Sequence, residues 1–175
     1  VVAPADQAVL STPTPTRTET KIKVRFTAAA DAPVGIRDVR LMTPNGPTSV
    51  GQIVIVRDPI VREAKANNSM KDAQLVTLPA TLCGAVEGAE DVDFYKFKVE
   101  AGTALTFHVT CQRLLNKLTE LITNVAPIIT LRNSAGTVLA SNDFFFGGDA
   151  LLHHRFAAAG EYYLEVRDVR YEGNK

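Results

Sequence analysis

Three histidines, two cysteines and a few acids beside turns are the residues of this chain that could attack a bond or hold an ion. His108 falls on the polar face of an alternating stretch. His153 and His154 are adjacent, so on a strand they face opposite sides. Neither arrangement aims two imidazoles at one metal. Ser141 and Asp143 flank a turn, but no Gly-x-Ser-x-Gly elbow accompanies them. No His-Glu-x-x-His, phosphate-binding loop or dinucleotide fingerprint occurs. Asp91 and Asp93 stand two apart at a strand start, where a carboxylate capping backbone N–H groups suits the spacing. A paired-carboxylate hydrolase would need its acids across a cleft. Without a nucleophile–base pair or a metal triad, no enzyme activity is expected.

Cys83 and Cys111 fit no zinc spacing. Cys111 shares parity with Leu105, Phe107 and Val109 and should point inward. Cys83 is out of step with Leu82, Gly84 and Val86 and should point outward. That mismatch opposes a Cys83–Cys111 disulfide, whose Cβ atoms must come within ~4.5 Å. Strand ends break parity, so the pairing stays open. Phe144, Phe145 and Phe146 are the other conspicuous group. Three consecutive rings cannot all face one core from a strand, and they sit between Asn142-Asp143 and Gly147-Gly148-Asp149. At least one ring is expected at the surface. The loop either caps an end of the fold or docks on a neighbouring domain or partner, since aromatic anchors dominate such contacts.

The elements that position these residues read as strands. Over residues 90–110, Tyr95, Phe97 and Val99 alternate with Lys96 and Lys98, and Leu105, Phe107 and Val109 alternate with Thr106, His108 and Thr110. Glu100-Ala101-Gly102-Thr103 lies between, so a hairpin is expected. Upstream, residues 21–27 alternate cleanly, residues 34–42 form a strand with a kink or bulge near Asp38, Thr43-Pro44-Asn45-Gly46-Pro47 turns, and residues 50–56 form another strand. Residues 59–74 lack a period and contain Pro59 and a polar run at 65–69, which suggests a linker. Leu114, Leu115, Leu118, Leu121 and Ile122 recur at helical spacing over residues 112–125 and predict an amphipathic helix. Strands follow at residues 128–131, 137–140, 151–157 and 161–167. The fold class is thus all-β: an antiparallel, jelly-roll-like β-sandwich over residues 75–175 with one inserted helix, a linker over 59–74, and a partial immunoglobulin-like β unit over 1–58.

Bulk properties bound the function. The chain has 175 residues, 46% of them hydrophobic, enough for one large or two small domains. Lysine plus arginine equals aspartate plus glutamate at 19 each, so no basic excess draws a phosphate backbone and nucleic acid is not an expected partner. No apolar run approaches the ~20 residues that span a bilayer. The chain opens without a Met or a leader and is expected to be a mature form or an excised piece, with earlier strands of the first unit lying before it.

Residues 84–109 (GAVEGAEDVDFYKFKVEAGTALTFHV), 131–143 (LRNSAGTVLASND) and 157–168 (AAAGEYYLEVRD) resemble the bacterial pre-peptidase C-terminal domain, and the likeness covers residues 67–172. Residues 29–58 resemble the closing strands of immunoglobulin-like domains that precede such modules in large secreted bacterial proteins of planctomycete type. The resemblance implies a secreted, periplasmic or cell-surface location. It also implies a non-catalytic accessory module that binds protein or polysaccharide, or a structural spacer, with neighbouring domains of the same polypeptide as partners. The family's usual last strand is not found before residue 175. Some family members hold calcium with acids and amides of the linker and of the central strand start. The matching positions are Glu63, Asn67, Asn68, Glu90 and Asp93. Hard calcium wants six to eight oxygens, and one position where those members carry an acid is Lys65. No cofactor is therefore expected, and calcium should add little stability.

Overall fold

The computed structural model describes residues 24–114, 125–145 and 147–171. The chain divides into two compact units, Val1–Arg57 and Asp58–Lys175. In the first, β1 (Gly35–Val39), β2 (Met42–Thr43), β3 (Gly46–Pro47) and β4 (Gly51–Ile55) fold as one long hairpin. β1 and β4 pair antiparallel, and β2 and β3 close the tip around Pro44 and Asn45. The parity change near Asp38 is not a bulge. Pairing runs unbroken from Gly35–Ile55 to Val39–Gly51, and the strand then ends. Of the alternating stretch 21–27, residues 24–27 carry no strand and the rest lies outside the described residues.

In the second unit the stretch 59–74, expected as a connector, contributes β5 (Ile60–Arg62) and begins β6 (Gln74–Leu75). β5 pairs parallel with β7 (Thr81–Cys83), and β6 pairs parallel with β8 (Val92–Val99). These two pairings depart from an all-antiparallel sandwich. The rest is antiparallel: β9 (Ala104–His108), β10 (Pro127–Asn133), β11 (Val138–Asn142), β12 (Leu151–Arg155) and β13 (Gly160–Asp168). The main sheet runs β11-β10-β13-β8-β6, and β12 pairs with β9 in a second sheet.

β8 and β9 are not a hairpin. β8 lies between β13 and β6, whereas β9 pairs with β12. The turn closed by Thr103 N–H on the Glu100 carbonyl carries the chain from one layer to the other. The apolar faces explain the choice. As sheet neighbours, β8 and β9 would set their apolar rows side by side and leave both uncovered. In two layers the rows meet, and Phe97 packs on Phe107 with ring centroids 5.6 Å apart. Phe97, Val99, Ile129, Leu131, Leu152, Phe156 and Leu164 form the core, with Leu82, Leu105 and Phe107 packed against it.

The amphipathic helix expected over 112–125 falls mainly on residues 115–124, outside the described residues. Among the described residues no α-helix is present, and residues 111–114 turn tightly. Cys83 and Cys111 are free thiols, so no disulfide joins them.

Candidate functional site

The polar residues gather at two places in the second unit. The first lies where the stretch 59–69 meets the start of β8. Asp93 has the same parity as Tyr95, Phe97 and Val99, so the pleat turns its carboxyl to the inner face, and it is 4% exposed. Asn67 lies beside it at 1% exposure, drawn in by the Phe94 N–H, which donates to the Asn67 carbonyl at 2.7 Å. The Asn67 carboxamide is close enough to Asp93 and Tyr95 to favour their charged forms. Yet neither its nitrogen nor its oxygen meets hydrogen-bond geometry with a protein group.

Above this pair opens a pocket of about 430 Å³ lined by Glu63, Lys65, Asn68, Glu87, Glu90 and Asp91. Asp91 does the capping its spacing suggested: one oxygen accepts the Glu87 N–H at 2.8 Å, the other the Asn68 amide at 3.0 Å. Glu63 accepts the Ala85 N–H at 2.8 Å. Gly84 makes room for it, because a methyl there would collide with the Glu63 side chain. Glu90 holds a left-handed φ of 62°, and its N–H bonds the Tyr171 carbonyl at 2.9 Å. Of the residues expected around calcium, the structure thus brings Glu63, Asn68 and Glu90 to one pocket with Lys65, and places Asn67 beside Asp93.

Burial, then the carboxylates of Glu63, Asp91 and Glu87, push the Asp93 carboxyl up to about 7, against a smaller lowering by Asn67. Burial and the charges of Asp93 and Glu63 raise the Tyr95 hydroxyl too. A carboxyl whose folded pKa is raised holds its proton more tightly folded than unfolded. Its contribution is therefore fully present below the unfolded value of 3.8, is lost as pH rises, and levels off above about 7. Between those limits wild-type stability should fall by about 1–2 kcal/mol from this group, discounted for the solvent-filled pocket beside it. Asp93→Asn should flatten the fall in a pH series of urea melts. An equal slope in the variant would show that Asp93 is not its source.

A hard divalent cation fits this donor set poorly. Asn67 offers it an orphaned, buried amide oxygen. Against that, both Asp91 oxygens and one of Glu63 already accept N–H groups. Among the described residues no three His, Cys, Asp or Glu side chains converge as metal ligands. Lys65 stands in the ring.

The second polar place lies where residues 111–113, 125–126 and 149 meet the end of β13. Asp149, 1% exposed, accepts the Cys111 and Gln112 N–H groups at 3.0 and 2.7 Å and pairs with Arg113 Nε at 2.7 Å. Gln112 donates to the Val125 carbonyl at 3.1 Å, and Asp168 accepts the Ala126 N–H at 3.0 Å. Gly148, at φ +80°, is needed beside them because a methyl there would strike the Gln112 side chain. Sequence reasoning missed Asp149, Gln112 and Asp168, because no local pattern marks a buried carboxylate whose partners lie far along the chain. This place is structural. Burial, with Asp149 and Asp168, pushes the Cys111 thiol up to about 11, which makes it a poor nucleophile.

The remaining candidates do not assemble. His108 is exposed and receives the Arg113 guanidinium at 2.6 Å. His153 bonds Thr106 at 2.9 Å, and His154 turns to the other side against the Phe156 ring. Ser141 bonds Thr130 and the Ile129 carbonyl. An apolar cleft of about 60 Å³ beside Tyr95, Phe97 and Phe107 is well below the ~300 Å³ of a small-molecule site. Phe144 and Phe145 are 69% and 61% exposed, and Phe146 lies outside the described residues. The Phe145 N–H donates to the Asp149 carbonyl at 3.0 Å, and Asn142 accepts the Leu151 N–H at 3.0 Å. Two bare rings therefore sit on a tethered loop.

No curated protein matches the chain. Among solved structures, the pre-peptidase C-terminal domain of collagenase from Bacillus anthracis is similar at 19% identity, over 62% of this chain and 93% of that one, with a TM-score of 0.47. The model of the bacterial pre-peptidase C-terminal domain matches residues 91–168, the span from the capping Asp91 to the buried Asp168.

Proposed function

We propose that this chain is a non-catalytic accessory module of a larger secreted, periplasmic or cell-surface protein. Its second unit is a jelly-roll-like sandwich that binds protein or polysaccharide through the loop carrying Phe144 and Phe145. Its first unit supplies the close of an immunoglobulin-like domain. The match over residues 91–168 supports the accessory role. The exposure of the two rings carries the binding role. Soluble proteins seldom leave large adjacent aromatics bare without a use for them. Asp143 and Asp149 flank the loop, and the tether through Asp149 presents the rings without a large ordering cost on binding.

Depletion from solution by cellulose, chitin and fibrillar collagen tests this. Retention on at least one support is expected, reduced at least about tenfold in the Phe144→Ala, Phe145→Ala double variant, with an unchanged melting temperature. Retention on none of them, or retention insensitive to both rings, overturns the binding role and leaves a spacer between domains, which the division into two units favours.

A further inference from the structure

We infer that Lys65 is the resident counter-ion of the acidic pocket, so that the junction between the stretch 59–69 and β8 is held without a divalent cation. The pocket places the carboxylates of Glu63, Glu87, Glu90 and Asp91 around one opening, with Asp93 buried beneath. Such a cluster repels itself unless a cation answers it. Three solutions exist: a metal, a set of N–H donors, or a basic side chain. The donors are partly in place, since Ala85, Glu87 and Asn68 each give an N–H to Glu63 or Asp91. Each such bond takes up one of the lone pairs that an oxygen could offer a metal. Calcium requires six to eight oxygens, and among the described residues the acids do not converge to supply them. Lys65 lines the same opening and is itself exposed. A lysine ammonium is a hydrated point charge on a flexible stem. It lowers the field of several carboxylates at once without fixed geometry, which suits an open pocket. It also repels an incoming divalent ion.

Asn67 is the feature that speaks for a metal, and it makes the inference testable. If the charge of Lys65 is the larger obstacle to a cation, then Lys65→Glu should create a weak site by adding a carboxylate to those of Glu63, Glu87 and Glu90 and to the orphaned Asn67 oxygen. Melting is followed for the full chain in millimolar calcium and in chelator. Wild type should shift by less than about 2 °C and Lys65→Glu by about 5–10 °C. Titration calorimetry of Lys65→Glu with calcium alone should give a saturable heat that wild type lacks. An equal shift in wild type overturns the inference, and so does the absence of any shift in both proteins.

A second variant guards against failure of Lys65→Glu to fold. In chelator at low ionic strength, Lys65→Gln should melt a few degrees below wild type, and added sodium chloride should narrow the gap, because salt replaces the lost counter-charge. If Lys65→Gln melts with wild type at every salt concentration, Lys65 is not the counter-ion.

Discussion

Phe156→Ala is expected to cost about 3–5 kcal/mol, a large share of what holds a domain of this size together. Phe156 has no exposed surface. Its ring meets Tyr162 at 4.5 Å, His154 at 4.8 Å and Phe97 at 6.1 Å between centroids, all edge to face. Tilted and edge-on contacts of this kind add to the area term. Its backbone closes the arch between the layers: its N–H donates to the Thr103 carbonyl at 2.8 Å, and its carbonyl accepts from Gly102 at 2.7 Å. Removing the ring therefore leaves a cavity against strands of both sheets, whose pleats cannot collapse to fill it. Phe156→Leu keeps much of the volume and should cost less than half as much. Urea denaturation with an unchanged m-value checks both. A loss under about 1 kcal/mol for Phe156→Ala would mean that the layers repack freely around it.

Most of the longer strands were legible, and the long-range pairing between them was not. Alternation in 92–99 and 104–108 marks two apolar faces; the first is buried and the second, with Leu105 and Phe107, is partly buried against it, as the parity requires. Period two reports the face of a residue and nothing about its lateral neighbour. A turn such as Glu100-Ala101-Gly102-Thr103 serves a hairpin or an arch equally well. The partner of β8 is β13, far along the chain, and no local rule reaches that distance. The stretch 59–74 escaped for a related reason. Its strands are two or three residues long, too short for any period to register.

The site divides the same way. Parity places Asp93 inside, because it stands one step N-terminal in the alternation of Tyr95, Phe97 and Val99. Its spacing from Asp91 suggested a carboxylate capping backbone N–H groups instead. That description holds for Asp91, whose oxygens cap Glu87 and Asn68, and fails for Asp93. That at least one phenylalanine is exposed follows from the impossibility of facing three consecutive rings inward; that Phe144 and Phe145 are both bare does not follow from alternation. The identity of what they touch has no such geometric consequence.

Asp149→Ala is expected to destabilise by about 3–5 kcal/mol, as breaking a buried ion pair by deleting one partner does. The carboxylate is 1% exposed and serves three strong donors: the N–H groups of Cys111 and Gln112 and the Arg113 guanidinium. Alanine would leave the two N–H groups without their acceptor in a part of the fold that water scarcely reaches, at about 1–3 kcal/mol for each group left buried and unmet. It would also remove this carboxylate from Arg113, although that guanidinium keeps His108 and the Val109 carbonyl. Asp149→Asn discriminates between the terms. The amide retains one acceptor oxygen for the backbone turn but loses the charge that Arg113 answers, and its NH₂ would face a donor. An intermediate loss, near half that of alanine, is therefore expected. Arg113→Ala should cost less than Asp149→Ala, since it removes one donor and leaves the backbone pair in place. Urea melts of the three variants at one pH give the order. If Asp149→Ala proves no worse than Arg113→Ala, the backbone turn at residues 111–113 does not depend on the carboxylate, and the stability of that end of the sandwich comes from the apolar packing of Ala150 and Leu152 beneath it.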